Sequence, residues 1–422
     1  MTAGDIRKLG DVAVFMNGGA WNQNEYVDPG IPVVRVSDCH EGTVDLTDCK
    51  YLPASSLSLY AKHRLVHGDL IIATVGSHPT QPGSVVGRPT IVPKQAQGAL
   101  LNQNSVCIRP RDRSLDKGYL GYLGRSDYFR EYIIACARGS ANQVWMSISL
   151  LKQMPVPIPP PMTQHKIAAI LSAYDDLIEN NLRRIKILEE MAQALYREWF
   201  VNFRFPGHES VRMVDGIPEG WEIRRAVDGI SVNPRMEVPK AERRPYVAME
   251  GLSTSSMLVE ITEFREGNSG AKYRNGDTLF ARITPCLENG KTGFVQFLPS
   301  DDSVGIGSTE FIVLRSRTLC PEYVYILARF EDFRSNAIKS MTGASGRQRV
   351  RSECFDNYLF AHPDTETLSA FSGLVEPMFT YAHMLSQKNA NLRQTRDLLL
   401  PKLISGEVDV SELDIEIGEV ET

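Results

Sequence analysis

The chain has 422 residues, 42% apolar and 23% charged, with 16 Phe, 15 Tyr and 4 Trp, a balance that excludes general disorder and predicts two or three domains. No apolar run approaches the roughly 18 residues of a membrane span, and Met1-Thr-Ala-Gly-Asp-Ile-Arg-Lys8 lacks a signal peptide's apolar stretch, so a cytoplasmic protein is expected. The net charge of −5 lies at the end: residues 407–422 hold seven acids and no base, leaving 46 bases against 44 acids elsewhere, so local patches say more about partners than the overall charge.

Along the chain, Ile31-Pro-Val-Val-Arg-Val36, Leu70-Ile-Ile-Ala-Thr-Val75 and Ser105-Val-Cys-Ile-Arg109 read as strands bounded by turn residues, and a helical segment follows near 116–136. The run Pro155-Val-Pro-Ile-Pro-Pro-Pro161 then ends one element and pre-sets a helix with no breaker to about Phe203. Its seam is Leu171, Tyr174, Ile178, Asn181, Ile185, Leu188, Ala192, Leu195 and Trp199, at spacings of three and four, as in a coiled coil. Asn181 is the strongly polar member, the kind of residue that fixes register at a cost in stability. At roughly 38 residues such a helix spans about 57 Å.

The pattern then repeats. Strand-like runs Pro245-Tyr-Val-Ala-Met249, Thr278-Leu-Phe-Ala-Arg-Ile283 and Glu310-Phe-Ile-Val-Leu-Arg315 precede a helical segment near 321–340. His67-Gly68-Asp69-Leu-Ile-Ile-Ala73 matches Asn275-Gly276-Asp277-Thr-Leu-Phe-Ala281 at an offset of 208, and Arg138-Gly-Ser-Ala141 resembles Thr342-Gly-Ala-Ser345 at 204. Adding 204 to the seam gives Val375, Met378, Ala382, Leu385, Asn389, Leu392, Arg396, Leu399 and Leu403, again mostly apolar with one Asn. Similar offsets at three places indicate duplication. The expected fold is α+β: mixed α/β domains at 1–160 and 206–362 with largely antiparallel sheets, and long helices at 161–205 and 363–406. The helices are expected to pack as an antiparallel coiled coil with pseudo-two-fold symmetry, with an acidic, solvated tail at 407–422. Core helices inside one globule are the alternative, and Pro377 and Pro401 count against a continuous second helix.

Catalytic constellations fail one by one. Gly290-Lys291-Thr292 resembles the end of a phosphate-cradling loop, but its first glycine would fall on Pro285. His63 and His67 have metal-ligand spacing, yet Arg64 follows His63 where a metalloprotease has glutamate, and a structural or surface role is expected. Pro363-Asp364 lacks the Glu-x-Lys of a nuclease. Gly-x-Ser-x-Gly, Gly-x-Gly-x-x-Gly and Asn/Asp-Pro-Pro-aromatic patterns are missing too. Cys39, Cys49, Cys107, Cys136, Cys286, Cys320 and Cys354 contain no CxxC pair, which predicts neither a disulfide framework nor a zinc site.

Two segments carry a likeness: Ala194-Leu-Tyr-Arg-Glu-Trp-Phe-Val-Asn-Phe203 and Leu398-Leu-Leu-Pro-Lys-Leu-Ile-Ser-Gly-Glu407, each closing a long helix. With Tyr26-Val-Asp-Pro-Gly-Ile-Pro-Val-Val-Arg-Val36, the Gly-Asp strands and the proline run, the chain resembles the specificity (HsdS) subunit of Type I restriction-modification enzymes over essentially its whole length. The resemblance implies two target-recognition domains, each reading half of a bipartite, asymmetric double-stranded DNA site, with the helices setting the spacer. It implies a non-catalytic subunit with no cofactor in this chain. Modification (methyltransferase) subunits using S-adenosylmethionine would dock on the helices, and restriction subunits using ATP and Mg would join them.

DNA readers need basic, amide and hydroxyl side chains on loops. In the second domain Arg282, Thr284, Asn289 and Lys291 follow the Gly-Asp strand, and Arg347, Gln348 and Arg349 lie in a stretch from Arg334 to Arg351 with five bases and no acid. A solvated basic loop is the plainer alternative. In the first domain the corresponding candidates are Thr74, Ser77, His78 and Gln81, then Arg138, Ser140, Asn142 and Gln143, while Trp145 reads as a packing residue. The two sets are unlike, as unlike half-sites require. Inserting whole helical turns near Asn202 to Phe205 should lengthen the unread spacer. The competing readings are a coiled-coil adaptor that binds no DNA, separable by a salt-sensitive gel shift, and a self-contained DNA-modifying enzyme, which needs an S-adenosylmethionine site the sequence does not offer.

Overall fold

The run Leu70-Ile-Ile-Ala73 carries no polar side chain, and in the computed structural model it is a strand buried along its whole length. The structure describes residues 5–40, 42–80, 84–140, 143–239, 241–343 and 346–415. They fall into two units, Met1–Leu177 with Asn391–Thr422, and Ile178–Ala390.

In unit 1 the buried strand lies in an antiparallel sheet ordered Ala13–Asn17, Ser105–Pro110, Leu70–Ala73, Pro89–Ile91. A smaller sheet joins Leu100–Leu101, Ile31–Val34 and Lys50–Leu52, its first pair parallel. The helical stretch near 116–136 is two helices, Lys117–Arg125 and Asp127–Cys136. Asp116 caps the first by accepting the Tyr119 N–H at 2.7 Å, and Ser126, extended at ψ 151°, breaks the run and caps the second. Leu70, Ile72, Val106, Ile108, Tyr119, Leu123 and Phe129 meet in the core.

Unit 2 repeats this order. Its main sheet runs Ile230–Val232, Phe311–Ser316, Thr278–Ala281, Thr292–Phe294, all antiparallel. A second sheet runs Glu263–Arg265, Arg244–Val247, Gly305–Gly307, Ala271–Tyr273, with the central pair parallel. Helices Pro321–Arg329 and Glu331–Lys339 follow, and Phe280, Ile312, Leu314, Tyr323, Phe333 and Phe355 fill the core.

The first long helix spans Pro161–Tyr196 and closes in a π turn, Arg197–Val201; the left-handed Phe203 (φ 57°) stops it short of the expected end. The second spans Thr365–Ser405, unbroken at Pro377 and Pro401. In unit 2 the helices pair antiparallel: the Asn181 Nδ2 donates to Asn389 Oδ1 at 2.8 Å, both side chains buried, and further along the Trp199 ring lies 5.8 Å from that of Phe371. In unit 1 the same sense holds, with Arg396 paired to Asp175 and Lys166 Nζ donating to the Ser411 carbonyl at 2.6 Å. Of the expected seam, Leu171, Ile178, Ile185, Ala192, Trp199, Val375, Ala382, Leu385 and Leu403 are buried with the two asparagines. Tyr174, Leu188, Leu195, Met378, Leu392, Arg396 and Leu399 are half-buried.

The two closing motifs are core anchors. Tyr196, Trp199 and Phe200 enter the core of unit 2; Leu400, Leu403 and Ile404, 204 residues on, enter that of unit 1. The tail departs from the solvated reading at its start, because Val410 is 1% exposed in the unit 1 core beside Leu403 and Ile404. Residues 416–422 lie outside the described part.

Each unit also grips the first long helix through a carboxylate. In unit 1 Asp175 accepts from Tyr122 Oη and Arg125 Nη1, each at 2.7 Å, and from Arg396. Burial works to raise its pKa, but these donors outweigh it and hold the carboxyl below its ordinary value. In unit 2 Glu189 accepts from Tyr325 Oη and the Met257 N–H, with the Arg329 guanidinium 3.6 Å away. Here burial wins and pushes the carboxyl up.

Candidate nucleic-acid interface

The Gly-Asp pairs position the loops. Gly68 (φ 79°) and Gly276 (φ 82°) occupy the left-handed region, which suits glycine, and turn the chain into the buried strand. Each following aspartate is fully sequestered. Asp69 accepts from the Val66 N–H at 2.7 Å and from Arg109 Nε at 2.8 Å and Nη2 at 2.5 Å. Asp277 accepts from the Arg274 N–H at 2.8 Å and from Arg315 Nε and Nη2, both at 2.6 Å. Forked pairing satisfies a carboxylate that would otherwise be intolerable at such burial.

Past the buried strand, unit 1 builds a three-stranded ribbon. Val75–Gly76 pairs with Gln143–Met146, which pairs with Ala137–Ser140. The register aligns Val75, Trp145 and Arg138 in one row, and Gly76, Val144 and Gly139 in the next. The Met146 N–H donates to the Thr74 carbonyl at 2.8 Å, tying the loop's start to the ribbon. Two segments over 60 residues apart in sequence thus converge, carrying Thr74, Ser77, His78 and Arg138. His78 Nδ1 lies 2.8 Å from Thr80 Oγ1, the Ser77 carbonyl accepts from Ser84 Oγ at 2.8 Å, and the exposed Arg138 donates to the Ala135 and Ala137 carbonyls. Ser140 and Gln143 pair through their backbones at the ribbon's end; Gln81 and Asn142 lie outside the described residues. Trp145 corrects the packing expectation, for it is 56% exposed.

Unit 2 makes the same convergence. Ile283 bridges to Arg349, which bridges to Thr342, the row equivalent to Val75, Trp145 and Arg138. The Thr284 N–H donates to the Gln348 carbonyl and the Gln348 N–H to Thr284 Oγ1, each at 3.0 Å. Two expected readers have partners within the protein. Lys291 Nζ donates to the Met249 carbonyl at 2.9 Å, and Arg349 holds Glu310 through Nε and Nη2 at 2.9 and 2.7 Å. Asn289 and Arg347 are exposed and Gln348 is half-buried.

Arg282 is different. Among the described residues its buried Nε has no hydrogen-bond partner, and its side chain lines a cleft with Arg235, Lys272 and Glu237. A donor left unsatisfied at that depth costs about 1–3 kcal/mol unless an acceptor arrives. Arg235 and Lys272 were not legible as candidates, because neither belongs to a motif and only the fold gathers them. Trp145 had a readable signal, the alternation Val144-Trp145-Met146, which puts it on the face opposite two apolar residues.

The histidine pair does not converge on one point: His63 Nδ1 meets the Asn17 carbonyl at 2.8 Å and His67 Nδ1 the Val92 carbonyl at 3.0 Å. Among the described residues no cluster of His, Cys, Asp and Glu forms a metal site, and no helix is long and apolar enough to cross a membrane.

Comparison with known proteins gives this arrangement its class. Residues 4–190 match the family model for the type I restriction modification DNA specificity domain. The chain is 28% identical to the type I restriction enzyme MjaIX specificity subunit of Methanocaldococcus jannaschii over 74% of its own length and 73% of the relative's. It is 21% identical to the HindI specificity subunit of Haemophilus influenzae over 85% and 91%, and 29% identical to the EcoEI subunit of Escherichia coli over 45% and 33%. Its fold is similar to that of a Type-I restriction-modification system S subunit from M. genitalium, with a TM-score of 0.54 at 14% identity, covering 95% of this chain and 96% of the other. Residues 4–190 thus carry the type I restriction modification DNA specificity domain, and most of the chain is similar to specificity subunits of type I restriction enzymes.

Proposed function

We propose that this chain is a non-catalytic subunit in which each unit is a target-recognition domain reading one half of a bipartite, asymmetric DNA site. The observation that carries this is the pairing of sameness and difference. Both units erect the same buried Asp–Arg anchor and the same ribbon row, and the side chains borne there are unlike: Thr74, His78, Trp145 and Arg138 in one, Arg282, Thr284, Arg347 and Gln348 in the other. A duplicated scaffold with matching loops would read a palindrome. Arg347 and Gln348 have the donors for guanine and adenine edges, while Arg282, Arg235 and Lys272 suit phosphates.

The recognition domains correspond to residues 1–160 and 206–362, and the paired long helices serve as the spacer between half-sites. They also offer a docking surface for modification subunits. Ile187, Met191, Tyr381 and Met384 are 53, 49, 39 and 53% exposed, and the antiparallel register set by Asn181 and Asn389 brings them to one level. Apolar side chains at such exposure favour a protein partner. S-adenosylmethionine, ATP and Mg belong to the partner subunits in this reading. Methylated bases mapped in DNA from cells carrying this subunit with a modification partner should fall in a two-part asymmetric sequence with an unread gap; a single continuous or palindromic site would refute the proposal. Since Asn202–Phe205 follow the π turn, whole-turn insertions that lengthen the gap belong within Pro161–Tyr196.

A further inference from the structure

Strand Gln143–Met146 has two unlike faces. Val144 and Met146 are 0% and 4% exposed, and Trp145 between them is 56% exposed. Pleating sends successive side chains to opposite sides, so the indole stands on the wet face by register and cannot be tucked in by a rotamer change alone. Trp21 and Trp221 donate their indole N–H groups to Tyr26 Oη and Asp364, and Trp199 packs on Phe371. Trp145 has no ring or hydrogen-bond partner among the described residues.

A single exposed apolar side chain is ordinary on a protein surface; its location makes this one informative. The indole is directly opposite the exposed Arg138 across the ribbon and beside the segment that leads to Ser77 and His78. The equivalent place in unit 2 holds Arg349, neutralised by Glu310. One position in the scaffold therefore carries a large apolar plate in one unit and a closed ion pair in the other.

We infer that Trp145 is a base-contacting residue of unit 1, its indole laid against the bases of the half-site that this unit reads, with Arg138 beside it on the sugar-phosphate backbone. The inference rests on the DNA reading proposed above. An indole face offers broad apolar area and no acceptor, so it favours a base face or a thymine methyl over the amino donors of cytosine and adenine. Arg138 supplies the charge that holds the ribbon against the duplex.

The test uses the full-length chain and a pool of random duplexes, from which the wild type, Trp145→Ala and Trp145→Phe each select. The wild type should enrich a two-part sequence. Trp145→Ala should lose preference at one or two neighbouring positions within one half, about tenfold at each, while the other half is unchanged; Trp145→Phe should retain most of it. Tryptophan emission should change when the wild type binds its selected duplex, and that change should vanish in Trp145→Phe. The emission arm decides the matter even if the alanine variant fails to fold. Unchanged selection by Trp145→Ala, an equal loss on every duplex, or the same emission change in wild type and Trp145→Phe would each overturn the inference while leaving DNA reading intact. Failure of the wild type to enrich any sequence would overturn that reading and the inference with it.

Discussion

Unit 1 and unit 2 differ least where they are buried and most where they are exposed. The Gly-Asp turn, the forked arginine and the strand order recur, with Asp69–Arg109 matched by Asp277–Arg315. On the ribbon that these anchors support, Val75 and Ile283 are equivalent aliphatics, but Trp145 is matched by Arg349 and Arg138 by Thr342. The lesson is that the scaffold's energetics are separable from its recognition chemistry, so substitutions in the two layers should behave differently.

The largest effects are expected in the buried layer. Asp277→Ala removes the partner of a guanidinium that is only 15% exposed and should destabilise unit 2 by about 3 kcal/mol or more. Asp69→Ala should cost somewhat less, because Arg109 is 31% exposed and water can take over part of its solvation. Denaturant unfolding with a probe in each unit checks the ranking. Equal cost in both would mean that the carboxylate's own hydrogen bonds, not the stranded guanidinium, set the energy.

The helix pairing comes next. Asn181→Leu leaves Asn389 buried with its main partner gone and should cost about 2 kcal/mol, whereas Asn181→Leu with Asn389→Leu should recover most of that loss. A double variant no better than the single would show that the pair is not merely a register device, and the oligomeric state of the double variant tests whether register is lost with it.

Much of this layer could be read from the sequence. Seam spacing located both long helices, and the offset of 208 picked out the two Gly-Asp turns with their buried strands, because helical periodicity and buried-strand composition are local properties. What stayed hidden depends on pairing across distance. That Glu310 captures Arg349 needs the bridge between Ile283 and Arg349, and that Val410 is buried needs the core formed by the end of the second long helix. The broken helix near 116–136 had a local cause in Ser126, which competes with helix by capping the next turn.

The two carboxylate grips should separate the units by pH. Asp175 has a lowered pKa in the folded chain, so its contribution is present above the ordinary aspartate range and is lost as pH falls through the lowered value. Glu189 has a raised pKa, so its contribution is complete below the ordinary glutamate range and is lost as pH rises through the raised value. Asp175→Asn should therefore cost about 1 kcal/mol at neutral pH and progressively less in acid. Glu189→Gln should compare best with the wild type at neutral pH and lose ground on acidification. Calorimetric melting of the three proteins from neutral to acid pH should give difference curves of opposite slope; parallel curves would remove the contrast.

The exposed layer of unit 2 should respond in binding alone. Arg347→Ala and Gln348→Ala should change preference in one half-site by about 1–3 kcal/mol per base pair, with thermal stability unchanged. Arg349→Ala should do less to preference and more to stability, because its guanidinium already serves Glu310. If selected sequences show Arg349→Ala to be the stronger specificity variant, the ion pair opens on DNA, and the distinction between engaged and free readers fails.

The smallest effect concerns the cleft, and it separates affinity from specificity. Arg282 has a buried Nε without a partner among the described residues, and Arg235 and Lys272 stand on the same walls with Glu237 as the acid among them. A phosphate entering there would displace counterions at each cation it neutralises, so Arg235→Ala with Lys272→Ala should flatten the dependence of log affinity on log salt by about two. Base preference in both halves should stay as it was, since backbone contacts position the duplex without reading it. Titrations of a selected duplex at several salt concentrations measure the slope directly. An unchanged slope would mean that the cleft faces away from the duplex, and the cost of the buried Arg282 Nε would then have to be met by solvent alone.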